Sequence, residues 1–115
     1  MTITRHGVMA NLSLAVARGD TVYLAGQVAR TGSTVAEQTA DVLEQIDELL
    51  AKAGTDKSKL LSANIWLTDI STFNEMNDVW TSWVAPGQTP ARATVEAKLA
   101  DPKFLVEIMA TAAIG

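Results

Sequence analysis

Cysteine is absent from this 115-residue chain, and histidine occurs once, as His6. The first absence excludes disulfides, a thiolate nucleophile and cysteine-ligated metal sites. The single histidine argues against a Ser-His-Asp triad and against a histidine-based metal centre. The chain also lacks a glycine-rich phosphate loop ahead of a helix and a dinucleotide-binding fingerprint. Most common catalytic signatures are therefore missing, and we predict neither a metal nor a cofactor.

Long apolar runs and clusters of basic residues are missing as well. No apolar segment approaches the roughly 20 residues needed to span a bilayer, and none follows a basic start as in a signal peptide. The nine lysines and arginines are scattered through a chain of net charge −4, which argues against electrostatic binding of nucleic acid. These features predict a cytoplasmic protein. A small anion could still bind at one well-placed arginine.

Hydrophobic residues make up 48% of the chain, which is enough for one domain with its own core over residues 1–115. Periodicity predicts the order β-β-α-β-α-β-β, an α+β architecture with two amphipathic helices on one face of a sheet. The first ten residues show no clear period. The predicted strands are Leu12–Ala17, Thr21–Val28, Leu61–Thr68, Ala93–Leu99 and Phe104–Ala113.

Capping-box sequences mark the start of both helices, at Thr34 with Glu37 and at Thr72 with Glu75. Gly54 is predicted to follow the end of the first helix. The last strand is apolar on both of its faces. We therefore expect either a further element or, preferably, another copy of the chain against the second face of the sheet.

Two charged residues stand out in the last two strands. Arg92 opens an alternating run, and Glu107 is the only charge between Phe104 and Ala113. If these strands pair as a hairpin, the two residues lie near the same end of it. Arg92 could pair with Glu96 or solvent, or could clamp a ligand carboxylate in a bidentate fork. Glu107 could be a buried partner of an arginine or of backbone amides, or could be a catalytic residue.

Gly26 lies within the second predicted strand. A glycine there indicates either a bulge or tight packing contact, or a point where the backbone approaches a ligand. The pattern alone decides neither this question nor the roles of Arg92 and Glu107.

The chain resembles the RidA (YjgF-like) family of enamine/imine deaminases from about Ala10 to Ala113. The most specific motif is Pro90-Ala-Arg92 with a carboxylate fifteen residues further on, at Glu107. The other matching motifs are Gly26-Gln27, Gln38, Phe73-Asn-Glu-Met-Asn77 and Val106-Glu107-Ile108. The resemblance implies a chorismate-mutase-like fold in which three chains form a barrel, with sites in the clefts between subunits.

The resemblance also implies a reaction and the residues that perform it. Reactive 2-imino or 2-enamino acids would be hydrolysed to 2-keto acids and ammonia without a cofactor. Arg92 would hold the substrate carboxylate, and Glu107 would position the hydrolytic water. The backbone carbonyl of Gly26 would face the ligand, and Asn77 would line the cleft.

Two further positions in the implied substrate-binding set depart from the family pattern. Thr94 lies where many members have cysteine, so any role of that thiol either falls to a hydroxyl or is absent. Leu12 lies near the place where the family often has a tyrosine in its N-terminal loop. This second departure bears on substrate choice and efficiency.

Two other classes of function compete with the deaminase interpretation. The same arginine could hold a 2-keto acid or a similar small carboxylate without any chemistry. Alternatively, the apolar second face could belong to an interaction or chaperone-like protein. A ribonuclease role, sometimes attached to the family, finds little support in an acidic chain without a basic stripe.

Overall fold

The computed structural model describes residues 1–115 and contains two helices and seven strands. The helices are α1 (Val35–Lys52) and α2 (Phe73–Trp83). The strands are β1 (Ile3–Val8), β2 (Ser13–Arg18), β3 (Thr21–Leu24), β4 (Gln27–Val28), β5 (Leu60–Leu67), β6 (Ala91–Glu96) and β7 (Val106–Ala113). The predicted α+β class is confirmed. No helix is both long enough and apolar enough to cross a membrane.

The strands form one sheet in the order β1-β2-β3-β7-β5-β6, with the short β4 also paired to β7. All pairs are antiparallel except β5 with β6. A parallel pair needs a crossover connection, and α2 supplies it between β5 and β6. The last two strands do not pair as a hairpin, because β5 lies between β6 and β7.

The N-terminal half of the sheet contains a strand that the sequence did not indicate. Ile3–Val8 pairs with β2 at the sheet edge, and His6 lies level with Ala15. Most of its side chains are exposed, so burial imposes no alternation of apolar and polar residues. The predicted strand Thr21–Val28 is also divided, because Ala25 and Gly26 interrupt it between β3 and β4.

The core lies between the two helices and one face of the sheet. Leu43, Ile46 and Leu50 of α1 pack there with Met76 and Trp80 of α2. The spacing of the apolar residues in each helix predicts that they share one face of that helix. The sheet contributes alternate residues of its strands, which are Ala15, Ala17, Val22, Leu24, Ala63, Ile65, Leu67, Val106, Ile108, Ala110 and Ala112.

The predicted capping box of α1 is confirmed. Thr34 Oγ1 accepts a hydrogen bond from the Glu37 N–H at 3.1 Å, and the Glu37 carboxylate accepts one from the Thr34 N–H at 3.2 Å. Such a cap typically stabilises a helix by about 1 kcal/mol. Gly54 follows the helix with φ of 84°, a conformation that glycine adopts without strain.

The predicted capping box of α2 is wrong. A short 3₁₀ turn, Ile70–Thr72, leads into this helix, and Thr72 Oγ1 donates to the Asp69 carbonyl instead of capping it. Glu75 accepts a hydrogen bond from the backbone N–H of Ala36 at 2.8 Å. The acidic side chain of α2 therefore satisfies a free N–H in the first turn of α1.

Gln38 joins three segments of the fold. Its side chain is almost fully buried (4% exposed) and donates to the carbonyls of Gly32 and Lys103 at 3.0 and 2.9 Å. Its carbonyl oxygen accepts from the Leu105 N–H at 2.8 Å. These bonds tie the first turn of α1 to the segments that precede α1 and β7.

We expect Gln38→Ala to lower the free energy of unfolding by about 1–3 kcal/mol, because three partly buried backbone groups lose their partner. Urea denaturation followed by far-UV circular dichroism measures this change. Gln88→Ala is the matched control, since Gln88 is exposed and its side chain makes no hydrogen bond. Equal unfolding midpoints for the two variants would show that the Gln38 bonds contribute nothing.

The second face of the sheet is covered by no helix of the chain. Tyr23, Val95 and Met109 expose 51%, 51% and 39% of their surface on it. Trp66 is half-buried between them. The prediction of an apolar second face is confirmed, and this face leaves large hydrophobic side chains open to solvent in a single chain.

Candidate active site

Arg92 lies on the helix-covered face of the sheet. In the parallel β5–β6 pair it is level with Ala63, which belongs to the core. Its Nη1 donates to Asn77 Oδ1 of α2 at 2.8 Å. Its Cζ lies 5.6 Å from the ring centroid of Phe73 and 5.3 Å from that of Trp80. We call Phe73, Asn77 and Trp80 the arginine cage.

The Arg92 guanidinium has no acidic partner within the chain. The two ion pairs of the protein both involve Arg30, and Glu96 instead accepts from the Ile70 N–H at 3.0 Å. Pairing of Arg92 with Glu96, one of the two alternatives that the sequence left open, therefore does not occur. Burial lowers the pKa of Arg92, but a guanidinium stays protonated at neutral pH. An uncompensated cation is held in place here.

Thr94 lies on the same face as Arg92, two residues further along β6 and level with Ile65. Its Oγ1 is buried and has no hydrogen-bond partner, and it is the one side-chain polar atom of the protein in that condition. Buried hydroxyls nearly always have partners. The chain therefore leaves this hydroxyl, two residues from Arg92 on the same face, without a partner.

Glu107 lies on the opposite, second face of the sheet. It is level with Trp66 on β5 and with Val28 on β4, while its neighbours Val106 and Ile108 point into the core. Its carboxylate makes no ion pair and no hydrogen bond in the chain. Glu107 is thus not the buried partner of an arginine or of backbone amides.

Gly26 makes room for the Glu107 carboxylate. A Cβ atom built on Gly26 would overlap Glu107 Oε2 and lie 3.1 Å from Glu107 Cδ. The backbone of Gly26 has no positive φ, so space rather than conformation is the reason for glycine. Of the two interpretations left open by the sequence, a tight packing contact describes what is seen within the chain.

The structure therefore divides the predicted site residues into two groups. Arg92, Asn77 and Thr94 lie on the helix side of the sheet, and Gly26 and Glu107 lie on the other side. The faces follow from register, since Ala63 and Trp66 are three residues apart on β5 and side chains alternate along a strand.

Leu12 belongs to neither group. It lies in the turn between β1 and β2, where its carbonyl accepts from the Met9 N–H at 2.8 Å and its side chain is 44% exposed.

The concave regions of the single chain lie away from both charged residues. A cavity of about 230 Å³ is lined by Ala29, Arg30, Thr31, Gly32, Gln38, Lys103 and Phe104. Two others, of about 650 and 350 Å³, are lined by Thr31, Gly32, Ser33 and Glu37 and by Thr68, Lys98, Leu99, Asp101 and Pro102. Arg92 and Glu107 line none of them, so one chain does not enclose a site around either residue.

We did not predict from the sequence that Phe73 and Trp80 contact Arg92. Together with Asn77 they occur at spacings of i, i+4 and i+7, which places all three on one side of a helix. This spacing is visible in the sequence, but it indicates a contact with Arg92 only once β6 is known to pack against this side of α2.

Comparison with known protein families gives a match over residues 2–114 to the family described as Endoribonuclease L-PSP. A RutC family protein of Haemophilus ducreyi is 45% identical, over 98% of this chain and 97% of its own length.

Two solved structures extend the comparison. A YjgF-family protein of Neisseria meningitidis is 50% identical, covers 100% of this chain and 97% of its own, and superposes with a TM-score of 0.99. A Yersinia pestis protein of unknown function, YyfA of the Rid family, is 29% identical with a TM-score of 0.87, over 93% of this chain and 90% of its own.

Proposed function

The chain belongs to the YjgF/RutC (Rid) family, and on that premise we propose that it hydrolyses reactive 2-imino and 2-enamino acids. The products would be 2-keto acids and ammonia, and the reaction would remove damaging metabolites in the cytoplasm. The preferred class would be small aliphatic imines such as 2-iminobutanoate and 2-iminopropanoate. The observation that supports this best is an arginine held without a protein carboxylate, beside an unpartnered buried hydroxyl.

The substrate carboxylate would bind the Arg92 guanidinium, whose planar donors match a carboxylate in a bidentate fork. Asn77 already orients one side of the guanidinium. The Thr94 hydroxyl would donate to the substrate or accept from it. This binding fixes the position of the imine carbon, which is the orientation that hydrolysis requires.

Glu107 would hold a water molecule and accept its proton as the oxygen attacks the C=N carbon. Glu107 passes this proton to the imine nitrogen, and in the resulting amino-alcohol it takes the hydroxyl proton and returns it to the amine nitrogen as the C–N bond breaks. Ammonia and the 2-keto acid are released, and Glu107 returns to its carboxylate form. General-base assistance of this kind typically contributes on the order of 10²–10⁴-fold in rate.

Arg92 and Glu107 lie on opposite faces of the sheet in one chain, so they cannot act together on one small substrate there. We propose that a homotrimer solves this problem by placing the second face of one copy beside the arginine cage of the next. The exposed Tyr23, Val95 and Met109 would be buried in that assembly. A native mass of three chains is expected.

Subunit complementation tests the composite site and the reaction together. Wild type should accelerate ammonia release from an imine generated in situ by an amino-acid oxidase, whereas Arg92→Ala and Glu107→Gln should each be nearly inactive. Mixing equal amounts of the two variants through unfolding and refolding should restore roughly a quarter of the wild-type activity, because a quarter of the interfaces combine an intact arginine with an intact carboxylate.

The control is the same mixture made without unfolding, which should stay inactive as long as subunits do not exchange. An active wild type with no restored activity after refolding would contradict the composite site. A wild type indistinguishable from buffer would contradict the deaminase function itself.

Binding without turnover is a second candidate, favoured by Thr94 and Leu12, which replace residues common in the family. Saturable binding of 2-oxobutanoate with no imine hydrolysis would support it. The word endoribonuclease in the family description suggests another activity. However, the chain has a net charge of −4 and scattered basic residues, which do not provide a surface for RNA phosphates.

A further inference from the structure

Trp80 contacts Arg92 from within the core. Its side chain is 5% exposed and belongs to the hydrophobic cluster, yet its ring centroid lies 5.3 Å from Arg92 Cζ. We propose that Trp80 is a positioning residue, which holds the Arg92 guanidinium in place for a substrate carboxylate. This inference rests on the proposed function, because the anion in question is the carboxylate of the imino acid.

The cage holds the cation without neutralising it. Aromatic faces attract a guanidinium through the ring quadrupole, at distances within about 6 Å of the centroid. Phe73 supplies a second ring at 5.6 Å. A protein carboxylate in the same place would consume two of the N–H donors and compete with the substrate for the charge.

The donors that remain are those a carboxylate needs. A guanidinium carries five N–H donors, and one hydrogen bond from Arg92 is formed within the chain, to Asn77. The rings take none of the others in conventional hydrogen bonds. Trp80 therefore contributes to binding by limiting the orientations of the arginine before the substrate arrives, which lowers the entropic cost of binding.

A purely structural role for Trp80 makes a different prediction, and Trp83 provides the matched control. Trp83 lies one turn further along α2, with its ring centroid 5.4 Å from that of Trp80. It contacts Lys57 and donates to Asp47 at 2.9 Å, but it does not contact Arg92. Replacement of either tryptophan removes a large ring from the same helix.

The first test measures binding of 2-oxobutanoate by calorimetry. Trp80→Leu is expected to weaken binding about 5- to 30-fold, the range that corresponds to loss of a partly buried cation–π contact. Trp80→Phe keeps an aromatic face and should stay closer to wild type. Trp83→Leu should bind within about 2-fold of wild type, since a cation–π contact to Arg92 is not lost. In turnover, Trp80→Leu should raise KM with little change in kcat, because it loosens the group that holds the substrate carboxylate and leaves the proposed general base, Glu107, unchanged.

The second test is a double-mutant cycle with Arg92→Gln, which removes the charge but keeps an amide donor. If Trp80 acts through Arg92, adding Trp80→Leu to Arg92→Gln should weaken the residual binding less than about 2-fold. If Trp80→Leu does not fold, Trp80→Met gives the same cycle, because its flexible side chain fills irregular core space but offers no aromatic face. Phe73→Leu tests the second ring of the arginine cage separately.

Each outcome has a distinct meaning. Equal weakening by Trp80→Leu with and without Arg92, or equal effects of Trp80→Leu and Trp83→Leu, would overturn the inference. Failure of wild type to bind 2-oxobutanoate would overturn the inference, and failure to hydrolyse imines as well would overturn the proposed function with it. Binding with the expected cycle but without imine hydrolysis would remove the deaminase function and leave the role of Trp80 supported.

Discussion

Replacing Arg92 by alanine is expected to lower kcat/KM for imine hydrolysis by about 10²–10⁴-fold, with saturable binding of 2-oxobutanoate lost in parallel. The reason is that the substrate carboxylate would lose two charged hydrogen bonds, each typically worth roughly 1.5–3 kcal/mol. Arg30 is not free to replace it, because it is paired with Asp41 and Glu48. Ammonia release from an imine generated in situ measures the first quantity, and calorimetry measures the second.

Two further variants separate charge from geometry. Arg92→Lys keeps the charge but loses the planar fork, so its activity should lie between those of wild type and Arg92→Ala. Arg30→Ala removes an exposed arginine and should retain nearly full activity and stability, since exposed ion pairs contribute little. Full activity of Arg92→Ala, with an unchanged native mass, would refute the carboxylate clamp. It would favour a function based on the apolar surface.

Local sequence was sufficient where local interactions decide the structure. The first helix begins at its capping box and ends before Gly54, because the cap bonds and the apolar stripe all belong to neighbouring residues. The second helix has the same sequence pattern at Thr72 and Glu75. There Glu75 bonds instead to Ala36, 39 residues away. The bond between Glu75 and Ala36 takes the place of the local capping box, and no pattern within α2 predicts this long-range bond.

Strand pairing could not be deduced from the same information. Strands that are adjacent in sequence are usually adjacent in the sheet, which favoured a hairpin of the last two strands. β6 instead follows α2 and lies parallel to β5, so β5 separates Arg92 from Glu107. The sequence identified both charged residues but could not show that they lie on different faces.

The polar and apolar faces of β6 are reversed relative to a strand that buries its apolar side chains against the helices. Polar Arg92 and Thr94 face the helices, whereas Ala93 and the half-exposed Val95 face outward. A monomer in isolation would be expected to bury the apolar set. The inversion is consistent with an outer face that packs against another copy, and with an inner edge that is kept polar for a ligand.

Gly26→Ala is the second substitution for which we expect a large loss, of roughly 10²-fold in kcat, similar to that of Glu107→Gln. The added methyl group would occupy the position of Glu107 Oε2, so the carboxylate must move away from the place where it would hold water. A displaced general base loses the rate factor of about 10²–10⁴ that such a group supplies. Binding of 2-oxobutanoate should change less than kcat, because the substitution leaves the Arg92 guanidinium and its contacts with Asn77 and Trp80 unaltered.

The effect of Gly26→Ala should depend on the presence of Glu107. The backbone at Gly26 does not adopt positive φ, so alanine introduces no conformational strain, and thermal unfolding should confirm a folded variant. In a Glu107→Ala background the clash disappears, and adding Gly26→Ala should then leave the residual turnover within about 2-fold. An independent, additive loss in that background would mean that Gly26 acts on the ligand through its own backbone, as the family resemblance implies, rather than by making room for the carboxylate.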